Sequence, residues 1–224
     1  MTLNYLWENK KSQASFAISQ SRFQSIHFNN SHLSLFLFFS LLLFFASPVC
    51  NSPAWAEGSN TQSQQRNPAW AKPLEASGME NFYQVNNWLY RSAQPDAEGF
   101  KNIEAMGIKT VINLRESNKD PKAAVGTKLI LLNAPITTWS FNDNDIASAL
   151  QAVTQAQRPV LVHCRHGADR TGLIIALIRV LDEGWSVEDA KQEMLEGGYG
   201  FHAIWKNIPK YLDDVDIDAL KAKI

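Results

Sequence analysis

The sequence predicts an α/β fold with a mainly parallel central sheet flanked by helices. Three short runs rich in aliphatic residues point to buried strands, and they occupy residues 109–115, 129–133 and 159–163. Stretches with helical periodicity lie between and after these runs. Strands that alternate with helices usually form parallel sheets, because each connecting helix crosses a face of the sheet.

The first elements lie between residues 81 and 107. Residues 81–85 and 88–91 are expected to form two strands around Asn86-Asn87, a dipeptide that suits a two-residue hairpin. Pro95-Asp96 then begins a helix that Gly107 ends. The apolar face of this helix is expected to hold three residues, namely Phe100, Ile103 and Met106.

The second half of the domain alternates in the same way. A polar loop that contains Asp120-Pro121 separates the first two buried strands. Residues 172–181 are apolar on nearly every side, which predicts a central, buried helix. Ser186 and Asp189 predict a capped helix that ends at Gly197-Gly198. Two further helices are expected from their apolar positions: Ile146, Ala149, Leu150 and Val153 in one, and Ile204, Trp205, Ile208 and Leu212 in the last.

The first 56 residues read as a leader outside the folded domain. Residues 33–46 are uncharged and strongly apolar, Pro48 breaks the run, and Ala54-Trp-Ala56 provides a cleavage site before Glu57. This pattern predicts a secretory signal peptide over residues 1–56, and therefore an exported protein that is periplasmic or secreted. The alternative is a membrane anchor through residues 33–50, although fourteen apolar residues are short for a span of about 20.

The remaining sequence divides into a linker and one domain. Residues 57–68 are polar without apolar periodicity and predict a disordered linker, so the folded domain is expected at residues 69–224. Without residues 1–56 the chain keeps 18 basic and 21 acidic residues, a net charge of −3. Because this charge offers no basic surface, neither nucleic acid nor a stable membrane association is expected.

Residues 159–172 carry the most informative pattern. A buried strand leads into Cys164, Arg170 follows after five residues, and an apolar helix begins at Thr171-Gly172. A loop that closes onto a helix start turns several N–H groups toward one point, where the helix dipole adds positive potential. Such a loop binds an oxyanion and lowers the pKa of a thiol. The guanidinium of Arg170 can also donate two hydrogen bonds to phosphate oxygens.

This stretch resembles the His-Cys-x5-Arg-(Ser/Thr) signature of cysteine-dependent protein tyrosine and dual-specificity phosphatases. It reads His163-Cys164-Arg-His-Gly-Ala-Asp-Arg170-Thr171, and Gly172 matches the usual Arg-Thr-Gly ending. Residues 89–95 and 107–115 are similar to the opening of the atypical dual-specificity phosphatases of plants, fungi and bacteria. The resemblance covers most of residues 80–215, implies the same α/β fold, and identifies residues 69–224 as a phosphatase domain.

The resemblance also implies roles for the residues of the loop. Cys164 would attack phosphorus and form a phosphocysteine intermediate, Arg170 would stabilise the transferred group, and Thr171 would assist hydrolysis of the intermediate. His163 would orient the loop through backbone carbonyls, and the side chains of residues 165 and 166 would lie at the rim. The expected phosphate-binding residues are the loop residues Arg165, His166, Gly167, Ala168, Asp169 and Arg170.

A general acid is needed to protonate the leaving oxygen, and three aspartates are candidates. Asp143 is the first choice, because the family usually takes its acid from the loop before the helix that precedes the signature strand. Asp143 is equally suited to cap that helix, as are its neighbours. Asp145 is the second choice. Asp169 is the third, since myotubularins and some bacterial phosphatases carry an aspartate at this place in the loop.

These observations predict a phosphomonoester hydrolase that works without a metal or other cofactor. Its substrate is expected to be a phosphoprotein, an inositol phosphate or a phosphoinositide. None of the three histidines after residue 56 has zinc-ligand spacing. Two alternatives to a phosphatase remain. One is a non-catalytic phosphate-binding module, and the other is a sulfur-transfer or arsenate-reducing enzyme.

Overall fold

The computed structural model describes residues 66–224, which contain a six-stranded sheet. The strands are β1 (Lys72–Pro73), β2 (Tyr83–Gln84), β3 (Leu89–Ser92), β4 (Thr110–Asn113), β5 (Ile130–Asn133) and β6 (Val160–His163). Their order across the sheet is β1-β2-β3-β6-β4-β5. β1, β2 and β3 pair antiparallel, whereas β3, β6, β4 and β5 pair parallel. The predicted mainly parallel sheet is therefore confirmed.

Helices cover both faces of this sheet. They are α1 (Ala97–Ala105), α2 (Asp120–Ala123), α3 (Asp143–Thr154), α4 (Asp169–Glu183), α5 (Val187–Glu196), α6 (Asn207–Asp214) and α7 (Ile217–Lys221). Phe100 of α1 packs with Val111 of β4 in one apolar cluster. Ile112, the next residue of β4, packs with α3 and α4 residues in the other cluster. Consecutive strand residues point to opposite faces, so one strand serves both cores.

Helix α4 lies at the centre of the larger cluster. Its residues from Thr171 to Arg179 are all buried, and it packs against α3, α5, α6 and the strands β3 and β6. The predicted central helix is therefore present, and it begins at Asp169 rather than at Gly172. The additional turn matters for the site, because it places the helix start directly after the loop.

The last predicted helix differs from the one observed. α6 begins at Asn207, so Trp205 precedes it and Ile204 is 78% exposed, while Ile208 and Leu212 are buried as expected. Pro209 explains the difference, because proline fits the first turn of a helix but removes a hydrogen bond further inside. A helix that included residue 204 would have placed Pro209 in its interior.

Smaller differences concern elements that are short. Strand β1 and helices α2 and α7 were not predicted, and Met106 is 47% exposed just beyond α1. The antiparallel pair around Asn86-Asn87 is present, with the Asn86 side chain accepting from Trp88 N and Leu89 N. None of the helices in residues 66–224 is long and apolar enough to span a membrane.

The predicted leader and most of the predicted linker fall outside the described residues. Arg66, which the sequence placed in the linker, donates to Ala71 O at 2.7 Å and to the Tyr199 hydroxyl at 3.0 Å. It also donates to Gly197 O. The side chain of Arg66 therefore joins the chain before β1 to the segment after α5.

Candidate active site

The loop of residues 164–170 connects β6 to α4. Strand β6 is buried throughout and lies between β3 and β4. The loop therefore stands at the carboxyl end of an inner strand, where open α/β sheets bind their ligands. Cys164, the first residue of the loop, is only 2% exposed.

Three successive carbonyl oxygens of the loop accept hydrogen bonds from groups outside it. These bonds run from Gln94 N to Arg165 O (3.2 Å), from Asn81 Nδ2 to His166 O (2.7 Å) and from Arg91 Nη2 to Gly167 O (2.7 Å). A peptide N–H points away from the carbonyl of the same unit, so carbonyls held outward turn N–H groups inward. The N–H groups of residues 165–168 donate to no other described residue. They are free to bind an anion.

Gly167 permits this shape of the loop. Its φ is +70°, a conformation that glycine adopts without strain. A Cβ at this position would lie 2.4 Å from Ser92 C and 2.5 Å from Ala93 N. The loop therefore packs directly on the backbone that follows β3, and no larger residue fits.

The start of α4 adds to the positive potential of the loop. Its N-cap, Ala168, offers no side-chain hydrogen bond, so the first N–H groups of the helix lack a side-chain cap. The Thr171 hydroxyl is buried and has no hydrogen-bond partner within residues 66–224. An unpaired buried hydroxyl is costly, and it is available to a bound phosphate, a thiolate or a water.

His163 holds the loop at Cys164, the predicted nucleophile. The ring is fully buried, with Nδ1 at 3.1 Å from Cys164 O and Nε2 at 2.8 Å from Asp120 Oδ2. Both contacts of the ring are with acceptor oxygens, one from a backbone carbonyl and one from a carboxylate. The expected orienting role of His163 agrees with this geometry, and Asp120 is a partner that the sequence did not predict.

Asp120 is a buried carboxylate with several donors. Burial opposes its ionisation, but hydrogen bonds from His163 and Gln94 and the charge of Arg115 outweigh burial and hold the pKa of Asp120 below its ordinary value. Gln94 Nε2 donates to Asp120 Oδ1 at 2.9 Å, and Arg115 Nη1 donates to Gln94 Oε1 at 2.7 Å. This chain of contacts joins α2 to the segment after β3 and to the segment after β4.

Arg170 is partly buried and is held at one end of its guanidinium. Nη1 donates to Leu114 O at 3.4 Å and to Ile136 O at 3.3 Å, which are long contacts. No described residue accepts a hydrogen bond from Nε or Nη2 of Arg170. Nε and Nη2 are thus available to donate to a phosphate. The position of the guanidinium is fixed by carbonyl oxygens that follow β4 and β5.

A second arginine, Arg91, supports the loop from below. It is fully buried, donates to Gly167 O, and its guanidinium carbon lies 3.5 Å from the centre of the Tyr199 ring. Burial lowers the pKa of Arg91, while Tyr199 and Glu193 act in the opposite direction. Arg91 therefore has a positioning role, because its hydrogen bond is to the backbone of the loop.

Two of the three candidate acids have contacts at the start of α3. Asp143 accepts from the Tyr211 hydroxyl at 3.0 Å and pairs with Lys223 at 3.2 Å, and these hydrogen bonds lower the pKa of its carboxyl. Asp145 accepts from Asn142 N at 2.9 Å and completes a capping box. Asp145 therefore caps the helix, and the role of Asp143 as the acid stays a prediction.

Asp169, the third candidate, belongs to the loop and is paired with a histidine. It accepts from His202 N at 2.9 Å, and its Oδ2 lies 2.9 Å from His202 Nδ1. The ring of His166 lies 5.0 Å from the ring of His202, between ring centres. Burial and the charges of His202 and Arg165 lower the pKa of His166, and Asp169 opposes them. His202 is thus the partner of Asp169, and the sequence did not predict this pair.

Four residues around the loop were missed by sequence reasoning. They are Asn81, Arg91 and Asp120, which precede Cys164 by 44 to 83 positions, and His202, which follows it by 38. Arg91 stands in the stretch 89–95 that carried the family resemblance, so a signal for it existed. The other three have none, because their proximity to the loop arises from folding alone.

The α/β sheet carries an anion-binding loop after an inner strand. That loop contains a buried cysteine and an arginine with donors that no described residue uses, and these features define the chain as a phosphatase. The chain belongs to the tyrosine phosphatase family, whose sequence model matches residues 78–196. Within that family it is of the atypical dual-specificity type.

Several characterised relatives agree with this assignment. The dual specificity protein phosphatase TpbA of Pseudomonas aeruginosa is 33% identical over 159 residues, which are 70% of this chain and 71% of TpbA. A crystal structure of TpbA in complex with pTyr matches with a TM-score of 0.64 and 31% identity, over 70% of this chain and 96% of that one.

A second group of relatives carries names that refer to inositol phosphates. The catalytic core of the PP-IP phosphatase SIW14 from S. cerevisiae matches with a TM-score of 0.56 and 25% identity, over 66% of this chain and 93% of that one. The inositol diphosphatase DSP1 of Oryza sativa subsp. japonica is 30% identical over 110 residues, which are 45% of this chain and 50% of DSP1.

Proposed function

We propose that this protein hydrolyses phosphomonoesters through a phosphocysteine intermediate on Cys164. One observation carries the proposal: the loop after Cys164 is held by its carbonyl oxygens from outside, and its N–H groups at residues 165–168 have no acceptor among the described residues. Such an arrangement is preorganised to bind three phosphate oxygens. Its stabilisation of negative charge is largest in a site shielded from water.

In the first step the Cys164 sulfur attacks phosphorus. A sulfur–phosphorus bond forms, the bond to the leaving oxygen breaks, and that oxygen takes up a proton. Arg170 donates to the oxygens that gain charge, because its Nε and Nη2 are not used by described residues. In the second step a water attacks phosphorus, the thiolate departs, and the Thr171 hydroxyl assists.

We infer that Asp169 is the proton donor of the first step and the acceptor in the second. It is the only one of the three candidates that lies in the loop itself, and its side chain is 8% exposed at the helix start. Asp143 is tied to Tyr211 and Lys223, which favour its ionised form. The choice differs from the one made from the sequence, where Asp143 came first.

Phosphotyrosine is the substrate that the observations favour. The relative solved in complex with pTyr has the higher TM-score of those described and covers 70% of this chain. Trp139 is 68% exposed and stacks with Trp205, with ring centres 6.4 Å apart. The two rings form an aromatic surface, and Trp139 follows Ile136, whose carbonyl oxygen accepts from Arg170, by three residues in the chain. Stacking with such a surface favours an aromatic phosphate ester.

An inositol diphosphate is the second candidate substrate, and the relatives that act on such compounds favour it. Arg165 and His166 are both exposed at the rim of the loop, where they can contact further phosphate groups. We also propose that the protein is exported after cleavage of its leader, on the basis of residues 33–46 and the site before Glu57.

The decisive experiment compares two cysteine variants of the full chain with a phosphotyrosine peptide and an inositol pyrophosphate as substrates. Cys164→Ser should lower kcat/KM by orders of magnitude, because the hydroxyl has too high a pKa to act as nucleophile. Cys50→Ser is the matched control, since Cys50 is the other cysteine of the chain and lies in the predicted leader. Acid quenching of the wild type during turnover should trap one phosphoryl group on Cys164. Full activity of Cys164→Ser would refute the mechanism.

A further inference from the structure

Three side chains with metal-binding atoms meet at the edge of the loop. They are His166, Asp169 and His202, and their ligating atoms all lie within 4.8 Å of one another. The spacing of these residues in the sequence does not predict such a group, because His202 is 33 residues beyond Asp169. We propose that these three residues form a binding site for Zn²⁺ or a similar transition-metal ion.

The distances suit a tetrahedral ion. With metal–ligand bonds of about 2.0–2.1 Å, two ligand atoms of a tetrahedral zinc site lie about 3.4 Å apart. His202 Nδ1 and Asp169 Oδ2 are 2.9 Å apart, and the third ligand lies within 4.8 Å of both. A metal ion can therefore replace the proton between His202 and Asp169 with a separation of the two atoms by a few tenths of an ångström. A small movement of the exposed His166 ring completes the set.

The backbone that carries the ligands is fixed before any ion binds. Asn81 Nδ2 donates to His166 O at 2.7 Å and to Tyr199 O at 2.8 Å, so one side chain joins the loop to the segment before His202. Asn81 has a φ of +50°, an uncommon value for a residue other than glycine. His202 N donates to Asp169 Oδ1 at 2.9 Å and secures the second segment again. Ligands on braced segments lose little freedom on binding.

The group is accessible and selective. Asp169 is 8% exposed, whereas the His202 side chain is 45% exposed and His166 is also exposed, so an ion enters from solvent and ends on a buried carboxylate. Two imidazoles and one carboxylate suit zinc, cobalt or nickel, whereas Mg²⁺ and Ca²⁺ prefer oxygen ligands. The charges of Arg165 and Arg170 reach this place and oppose any cation. Only an ion that bonds strongly to imidazole overcomes them.

Occupancy of this site would lower phosphatase activity. An ion bound to Asp169 removes that carboxylate from proton transfer, and it leaves a fourth position for water or a substrate oxygen. This consequence rests on the proposed function, whereas the binding site itself does not. Direct measurement of binding therefore separates the two.

The test is a calorimetric titration of the full chain with Zn²⁺ alone in chelator-free buffer. Co²⁺ absorption reports the ligand types, because a thiolate ligand adds a sulfur-to-cobalt charge-transfer band. The wild type should bind one ion. The affinity for zinc should fall at least about tenfold in each of three variants, Asp169→Asn, His202→Gln and His166→Asn. This size is expected because even residues that only contact a ligand change metal affinity by about 10–100-fold. Asp143→Asn is the matched control, because Asp143 and Asp169 are each the first residue of a helix.

Cys164→Ser separates this site from a simpler one. If the proposal holds, Cys164→Ser binds zinc with wild-type affinity, and the cobalt form shows no thiolate band. Loss of zinc binding in Cys164→Ser with retention in His166→Asn would place the ion on the thiolate and overturn the proposal. Failure of the wild type to bind zinc, or unchanged binding in all three ligand variants, would overturn it as well. His166 is exposed, so His166→Asn provides a result even if another variant does not fold.

Discussion

Replacement of Gly167 by alanine tests whether the shape of the loop is what makes the site active. The position has a φ of +70°, and an alanine there costs about 1–2 kcal/mol in conformational strain. The added Cβ would also lie 2.4 Å from Ser92 C, whereas ordinary contact begins at 3.4 Å. The loop must therefore move by about 1 Å away from the end of β3. A displacement of about 1 Å in a catalytic group lowers turnover by about 100-fold.

Gly184 provides a matched control on the other end of α4. Its φ is +71°, nearly the same as that of Gly167, and a Cβ there meets nothing within 4 Å. Gly184→Ala should therefore lose only the conformational energy, which lowers Tm by about 2–4 °C per kcal/mol for a domain of this size. Its kcat/KM on a phosphotyrosine peptide should stay at the wild-type value.

The assay measures Tm and kcat/KM for both variants at a temperature where both are folded. Gly167→Ala should lose activity in addition to stability, and a phosphate analogue such as vanadate should bind it more weakly. If Gly167→Ala and Gly184→Ala lost equal stability and both kept full activity, contact between the loop and Ser92 would not determine catalysis. The shape of the loop at Gly167 would then not be what makes the site active.

Three further predictions concern the acid, the buried histidine pair and the leader. Asp169→Asn should lower hydrolysis of an alkyl phosphate by about 10²–10⁴-fold and hydrolysis of an activated aryl phosphate much less. Asp143→Asn should affect both substrates alike. The reverse pattern would identify Asp143 as the acid. Asp120 has a lowered pKa in the folded state, so the stability that it contributes is present above about pH 4 and is lost as pH falls through its folded pKa. Urea unfolding should therefore show Asp120→Asn less stable than the wild type at pH 7, with a smaller difference at pH 3, and an equal difference at both would contradict the His163 pairing. Mass spectrometry of the native protein should find an N-terminus near Glu57, and intact residues 1–56 in the membrane fraction would instead indicate an anchor.

The fold was predictable because its signals are local. The buried runs that became β4, β5 and β6 are continuous in the sequence, and helical periodicity separates them. Strand β1 and helix α2 were not predicted, because two and four residues carry no measurable period and neither element stands in a continuous apolar run. The end of the chain was predicted only in part, because the position of Pro209 outweighed the apolar residues 204 and 205.

The loop was also predictable, and for a related reason. Cys164, Gly167 and Arg170 lie within seven consecutive residues, so the anion site is formed by a single turn of chain between a strand and a helix. The resemblance to the phosphatase signature depends on that spacing. The order of the candidate acids was less secure, because a carboxylate at a helix start serves as a cap, an ion-pair partner or a proton donor, and only its neighbours distinguish these roles.

The sequence by itself determined the class of fold and the candidate anion-binding loop with Cys164 and Arg170, since each depends on residues close together in the chain. The tertiary structure alone decided which distant residues complete the site: Asn81 braces the loop, Asp120 pairs with His163, and His202 meets Asp169. These contacts join residues between 33 and 85 positions apart. Nothing local encodes them, because they exist only once the parallel strands bring their carboxyl ends to one edge of the sheet.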